Sequence, residues 1–167
     1  GNSLTKGIEI FLQGDWMLSN KMALSVFTAT ALVDGRYEKA TVKVGNDNID
    51  IRGNRIESVP SVMTRNGATL RYWKLSVTGI YSYTAESFAD ALNTANPPAS
   101  GAVGLVPAYG IFDLNTSFRI SRMFELRLNI NNLDNKKYFT KRPTMYPGPG
   151  IWPSDGRNMT ASLAIRI

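Results

Sequence analysis

The run Phe124-Glu125-Leu126-Arg127-Leu128-Asn129-Ile130-Asn131 alternates apolar and polar side chains without a break. Successive side chains of a β-strand point to opposite faces, so a period of two predicts a strand with one apolar and one polar face. A slip of one residue would exchange the two faces, so the register of this strand is strongly specified.

The same alternation recurs in six other segments, and no stretch of comparable length keeps the 3.6-residue period of a helix. These segments cover roughly residues 8–16, 22–36, 61–73, 75–84, 112–120 and 158–167. The sequence therefore predicts an all-β protein, an antiparallel up-and-down meander of about seven strands.

The connections between these strands alternate in length. Those near residues 18–21, 73–74 and 121–123 are short, whereas those at 37–60, 85–108 and 141–157 are long. A transmembrane β-barrel with tight turns on one rim and long loops on the other produces this alternation. Arg on the lipid face costs about 2–4 kcal/mol near the bilayer midplane, so the lumen is the predicted position of Arg119, Arg127 and Arg166, together with Asp113, Glu125 and Asn129.

Aromatic residues cluster at both ends of the predicted strands. Trp16, Tyr72 and Trp73 lie beside the short turns, and Tyr83, Tyr109, Tyr138 and Phe139 lie at the long-loop ends. They are predicted to form two interfacial girdles, with the simple preference of aromatic residues for strands as the alternative.

Composition excludes many functions. The 167 residues contain no Cys and no His, so thiol nucleophiles, Ser-His-Asp triads and Cys/His zinc sites are impossible. Lys and Arg number 19 against 13 Asp and Glu, a formal charge of +6, but no basic cluster is interleaved with stacking aromatics. We therefore expect neither an enzyme nor a nucleic-acid partner, and no bound cofactor or resident metal.

The last third of the chain resembles the TonB-dependent outer-membrane transporters, in particular their ferric citrate receptor branch. The resemblance lies in Asn131-Asn132-Leu133-Asp134-Asn135-Lys136-Lys137-Tyr138-Phe139-Thr140-Lys141-Arg142, Tyr146-Pro147-Gly148-Pro149-Gly150-Ile151 and Pro153-Ser154-Asp155-Gly156-Arg157. It implies the Gram-negative outer membrane, a ferric chelate as ligand, contact with membrane lipid, and TonB as partner through an N-terminal region absent here.

The resemblance also implies a domain organisation. Residues 7–167 would be the C-terminal portion of a barrel of about twenty-two strands, and residues 1–6 a tag remnant or N-terminal extension, because no signal peptide opens the chain. Such a portion could not transport alone. It could oligomerise through its open sheet edges.

An anionic ferric chelate would suit the forked guanidinium of Arg. Six basic residues on or near long loops are the candidate ligand-binding residues: Arg52, Arg55, Arg65, Lys141, Arg142 and Arg157. The alternative is that such charges are solvated or pair with neighbouring acids. The lumen residues Arg119 and Arg127 are predicted to pair with Asp113 and Glu125 across adjacent strands.

Two motifs are first interpreted as turns. The Pro147-Gly148-Pro149-Gly150 segment could gate a ligand, but a shaped turn is favoured, and Asn132-Leu133-Asp134 also has turn composition. Two other classes stay open: a free-standing small barrel, either an eight-strand membrane protein or a soluble lipocalin-like binder, and an all-β module that binds carbohydrate or protein.

Overall fold

The computed structural model describes residues 1–144 and 150–165, and all its regular elements are β-strands. Thirteen strands follow one another along these residues. They are β1 (Asn2–Ser19), β2 (Met22–Lys39), β3 (Thr41–Val44), β4 (Asp47–Asp50), β5 (Val62–Tyr72), β6 (Leu75–Thr84), β7 (Ser87–Phe88), β8 (Leu105–Val106), β9 (Tyr109–Arg119), β10 (Phe124–Asn131), β11 (Phe139–Lys141), β12 (Trp152–Pro153) and β13 (Asn158–Ile165). Across these two ranges, no helix is long and apolar enough to cross a membrane.

Seven strands form one sheet in the order β1-β2-β5-β6-β9-β10-β13. Every neighbouring pair is antiparallel, which confirms the predicted meander. Within the described residues, β1 and β13 each pair with a single neighbour, so the sheet has two open edges. The other six strands form three small pairs inside the long connections, which the sequence did not predict: β3-β4, β7-β8 and β11-β12.

The strand bounds agree with the alternating segments, except that β1 and β2 are longer than predicted and β9 begins three residues earlier. Each has 18 residues, and their ladder continues to the Asn2–Lys39 pair. Residues 2–6, which the sequence analysis separated from the barrel portion, thus belong to the first strand. They alternate poorly, and pairing with β2 holds them in the ladder.

The registers align polar side chains across the whole sheet. Starting at β1, one row of directly paired positions is Asp15, Ser25, Thr69, Thr78, Asn115, Asn129 and Thr160. Arg127 pairs with Ser117 and Ser162, two positions closer to the short turns on the same face. Arg119 lies opposite Glu125 on that face as well. The predicted polar face is confirmed for these residues, whereas Arg166 lies outside the described residues.

The adjacent row belongs to the opposite, apolar face. It consists of Trp16, Leu24, Leu70, Val77, Thr116, Leu128 and Ala161. A second apolar row runs through Leu75, Phe118, Leu126 and Leu163. The one-residue offset between polar and apolar rows is the expected consequence of the two-residue repeat.

Phe27 explains why the alternation of β2 is weak. Its ring lies on the polar face over Gly67 of β5, where an added Cβ would overlap the ring. The Phe11 ring follows at 6.5 Å between centroids. The polar face therefore carries a local apolar patch at this point, made possible by a glycine that leaves room for the ring.

The sheet has no conventional core. Among the described residues, the buried hydrophobic side chains are Ile51, Val106 and Ile111, and no large side chain is fully buried. Apolar-face residues are instead well exposed, such as Ile8 at 62% and Met159 at 64%. A soluble lipocalin-like barrel or a two-sheet module would cover these faces with protein, so the described sheet supports neither alternative.

Candidate functional site

The three long connections form one hydrogen-bonded layer above the sheet. The side-chain amide of Asn54 donates to the carbonyl of Ala91, 2.9 Å away, which joins the first connection to the second. Asn93 accepts from the backbone N–H of Arg55 at 2.7 Å and donates back to its carbonyl at 2.8 Å. The predicted site residue Arg55 is thus part of a structural contact between loops.

Arg142 joins the second and third connections. Its Nε donates to the carbonyl of Leu105 at 3.0 Å, and its Nη1 donates to that of Gly101 at 3.1 Å. The guanidinium also lies 4.9 Å from the centroid of the Phe139 ring. With these contacts, the second predicted site residue holds the second and third connections together.

Asn132 anchors the start of the third connection. It is 3% exposed and has a φ of 50°, a left-handed conformation that Asn tolerates. Its side-chain amide donates to the carbonyls of Lys136 and Asp155 and accepts from the backbone N–H of Lys136. Its own backbone N–H donates to Asp113 of β9 at 2.8 Å. The interpretation of the Asn132-Leu133-Asp134 motif as a turn is confirmed.

Two clefts lie side by side on the polar face, at the long-loop end of the sheet. The first, about 630 Å³, is lined by β1, β2, β5 and β6 and includes Glu9 and Arg65. The second, about 710 Å³, lies between β6, β9, β10 and the third connection. Ser82 and Thr84 of β6 line both clefts, so the two make one continuous surface.

The second cleft has an aromatic wall. The rings of Tyr109 and Tyr138 lie 4.6 Å apart between centroids at 32°, and Trp152 lies in the same lining. Polar groups complete it, among them Asp113 and Asp155. Tyr109 and Tyr138 were predicted in the lipid girdle, and this is wrong. Tyr109 shares the polar face with Asp113, four residues along the same regular strand.

Among the six predicted basic residues, Arg65 is the one that lines this surface. It is exposed, and no hydrogen bond or ion pair engages its guanidinium within the described parts of the chain. Arg52 lies in the first connection beside Asp50 at 3.9 Å, with 67% of its side chain exposed. Lys141 is exposed on β11.

Arg157 is the last of the six predicted basic residues. Its backbone N–H donates to the side chain of Asn135 at 3.0 Å, and its Nη1 donates to the carbonyl of Leu133 at 3.4 Å. The sequence thus found one residue on the cleft surface by residue type, and the structure does not bring the other five to it.

The lumen ion pairs differ from the predicted ones. Arg127 pairs with Glu125 at 2.8 Å along β10 itself, not across strands. Asp113 accepts from the backbone of Asn132 instead of pairing with Arg119. In a strand, residues two apart share a face, so a long Arg side chain can reach its own strand neighbour.

Most of the Pro147-Gly148-Pro149-Gly150 segment lies outside the described residues, and so does its predicted turn.

The pKa of one side chain in the loop layer, Tyr37, is strongly raised. Tyr37 donates to Glu57 at 2.5 Å, and this bond, together with burial and the carboxylate charge, raises the pKa of Tyr37 to about 12. Tyr37 lies beyond Leu32, the last residue of β2 that pairs with β5. A membrane strand needs about 9–11 residues, so Tyr37 lies outside the spanning part that starts near Met22.

The described residues include no group of three or more Asp or Glu side chains that could hold a metal ion. The surface instead offers one open guanidinium, stacked rings and hydroxyl groups. These groups suit an organic molecule with anionic and aromatic parts, including one that has already chelated a metal.

An amphipathic meander with an exposed apolar face and a polar face that carries a cleft defines the wall of a membrane β-barrel. The profile of the family described as "TonB dependent receptor-like, beta-barrel" matches residues 1–133. The chain belongs to this family of outer-membrane transport receptors of Gram-negative bacteria, which are not enzymes.

Individual relatives agree with this. The probable TonB-dependent siderophore receptor PiuA of Acinetobacter baumannii is 26% identical over 145 residues, which are 84% of this chain and 18% of PiuA. The metal-pseudopaline receptor CntO of Pseudomonas aeruginosa is 23% identical over 131 residues, covering 78% of this chain and 18% of CntO. The chain therefore spans about a fifth of the curated relatives it matches.

Solved structures share the fold. The crystal structure of PiuA has a TM-score of 0.74 at 24% identity and covers 98% of this chain and 22% of the PiuA chain. The unliganded ferric citrate transporter FecA has a TM-score of 0.71 at 16% identity, covering 96% and 24%. At these identities the likeness establishes the fold.

Proposed function

We propose that the chain forms seven neighbouring strands of a larger closed barrel, a receptor that takes up ferric chelates across the outer membrane with TonB as energy source. The two open edges support this, because unpaired strand edges in a bilayer leave backbone groups unsatisfied at several kcal/mol each. The chain also covers only about a fifth of its relatives' length. The barrel portion would then begin at residue 2, in β1, rather than at the expected residue 7, and outer-membrane lipid would cover the apolar face.

The observation that carries the proposal is the continuous cleft surface at the long-loop end of the polar face. It faces the barrel interior beneath the loops, where a ligand arriving from outside first meets the wall. Arg65 supplies a guanidinium for an anionic group, and the Tyr109–Tyr138 pair supplies aromatic faces.

The lining favours an organic siderophore with an aromatic part over ferric citrate. Citrate offers only carboxylates and a hydroxyl group, so it gains nothing from stacked rings and would meet the carboxylates of Asp113 and Asp155. PiuA and CntO are described as siderophore and metal-pseudopaline receptors, which supports a metal chelate as ligand. Ferric citrate stays the second candidate, because an open guanidinium also suits it.

Uptake of radioactive iron tests the proposal in a Gram-negative strain that lacks its own chelate receptors and expresses the receptor containing this chain. A ferric catecholate siderophore and ferric citrate would be compared, with and without functional TonB. We expect TonB-dependent uptake, faster for the aromatic chelate. No uptake of either chelate, or equal uptake without TonB, would refute the receptor function, and faster uptake of citrate would refute the aromatic preference.

The residues are tested by binding to the same receptor. Arg65→Gln and Tyr109→Ala should each weaken chelate binding about tenfold, in line with roughly 1–2 kcal/mol for a lost charged or stacking contact. Arg52→Gln is the matched control, because Arg52 lies away from the clefts and should bind as the wild type does. Equal losses in all three variants would contradict the placement of the site.

A further inference from the structure

The three short turns form a continuous edge opposite the loops. This short-turn rim comprises residues 20–21, 73–74 and 120–123. The backbone N–H of Trp73 donates to the carbonyl of Lys21 at 2.7 Å, and that of Arg119 donates to the carbonyl of Lys74 at 2.9 Å. The second turn is therefore hydrogen-bonded to the first turn and to the end of β9, directly before the third turn.

Each of these turns carries one cation and no acid. The cations are Lys21, Lys74 and Arg122. Lys74 lies 4.8 Å from the Trp73 ring centroid and donates to the carbonyl of Ile120 at 3.2 Å, which keeps its charge on the rim. Lys21 and Arg122 are exposed.

The acids nearest to the rim already have partners. Asp15 accepts hydrogen bonds from Ser25 and from Gln13. Glu125 is paired with Arg127. Both acids lie on the polar face rather than on the rim, so they do not neutralise the turn cations.

Large apolar side chains flank the turn cations. Leu18 is 51% exposed, Trp73 is 68% exposed and Met123 is 51% exposed. Trp at a bilayer boundary places its ring among the headgroups, while neighbouring Met and Leu side chains reach the acyl chains. The cations thus lie at headgroup level.

We propose that the short-turn rim binds the anionic phospholipid headgroups of the leaflet on the periplasmic side, where such barrels place their short turns. Charge complementarity determines the choice of partner. Each Lys or Arg near an anionic bilayer surface contributes about 1 kcal/mol to the attraction of anionic lipid, which corresponds to a roughly fivefold preference for that lipid. The inference depends on membrane insertion and is independent of any chelate.

Lipid selectivity tests this directly. The receptor that contains this chain would be reconstituted in phosphatidylcholine vesicles, and electron paramagnetic resonance would compare spin-labelled phosphatidylglycerol with spin-labelled phosphatidylcholine at its surface. We expect phosphatidylglycerol to be enriched several-fold at low salt. The enrichment should fall toward one in the variant K21Q/K74Q/R122Q, which lacks the three turn cations. It should also fall, but less, in about 0.5 M salt, because salt screens exposed charges.

The control variant K43Q/K136Q/K137Q removes the same charge from the long-loop end and should keep the enrichment. K21Q/R122Q, which leaves the Lys74 contacts intact, should lose most of it, so a folding defect at Lys74 cannot explain the result. No enrichment in the wild type, full enrichment in both rim variants, or equal loss in the loop control would each overturn the proposal.

Discussion

The Nε atom of Arg142 lies 3.0 Å from the carbonyl oxygen of Leu105, so a side chain of the third long connection is fixed to the backbone of the second. Bonds from a charged donor contribute about 1.5–3 kcal/mol when they are half-buried, and Arg142 makes two. The loop layer therefore depends on a residue whose type alone suggested a ligand contact.

Replacing Arg142 should loosen this layer. In Arg142→Gln, amide hydrogen exchange around residues 101–105 should accelerate about tenfold or more, because both carbonyl contacts are lost. Hydrogen-exchange mass spectrometry measures this by segment. Lys141→Gln, one residue away and exposed on β11, is the control and should exchange as the wild type does. Unchanged exchange in Arg142→Gln would mean that the loops cohere without this residue.

Asn132 should be among the most sensitive polar positions. Asn132→Ala leaves the carbonyls of Lys136 and Asp155 without their side-chain donor. It also places Ala at a φ of 50°, which Ala tolerates less well than Asn. The free energy of unfolding should therefore fall by about 2–3 kcal/mol. Urea unfolding of the receptor that contains this chain, in lipid vesicles, measures this loss. Asn132→Gly relieves the backbone and should lose less, and the exposed Asn20→Ala should lose almost nothing.

The same added charge should destabilise the fold much more on the apolar face than on the polar face. Leu128→Arg places a guanidinium on the apolar face and should make folding of the receptor that contains this chain into vesicles less favourable by about 2–4 kcal/mol. Asn129→Arg, the next residue on the polar face, should cost less than about 1 kcal/mol. Similar costs for both variants would be inconsistent with lipid on one face only.

The Tyr37–Glu57 bond should make the loop layer sensitive to high pH. The pKa of Tyr37 is raised from 10.0 to about 12, so the bond stabilises the folded state fully below pH 10 and this contribution is lost as pH rises toward 12. The stability difference between the wild type and Tyr37→Phe should therefore be constant up to about pH 10 and shrink above it. A difference that is independent of pH in this window would show that the bond does not form.

The fold was predictable to a high degree because most strands of the sheet alternate apolar and polar side chains, although β2 and the start of β1 alternate less clearly. The β10 segment has the bounds that its sequence predicts, from Phe124 to Asn131. A one-residue slip would place Arg127 in lipid, so the face of each residue was predictable as well. The small strand pairs in the loops were not predictable. They have two to four residues each, and their order depends on contacts between distant loops, such as that of Asn93 with Arg55.

The site was harder to predict than the fold. Choosing residues by charge found Arg65 but also chose Arg142, whose loop contacts have no local signature. Tyr109 was missed because its position near a strand end resembled a girdle residue. The four-residue spacing of Tyr109 from Asp113 would have placed Tyr109 on the polar face. The position of Tyr138 was not predictable, because it lies in an irregular segment without periodicity.

The central claim is that the polar face meets water while the apolar face meets lipid, and single cysteines test it most directly because the chain has none of its own. The receptor that contains this chain would carry one cysteine at a time, Leu126→Cys, Arg127→Cys, Leu128→Cys or Asn129→Cys. Each variant would be reacted in lipid vesicles with a charged maleimide that does not enter the bilayer. The account predicts fast labelling at positions 127 and 129 and protection at 126 and 128. Equal labelling at all four positions, or protection at 127 and 129, would contradict it.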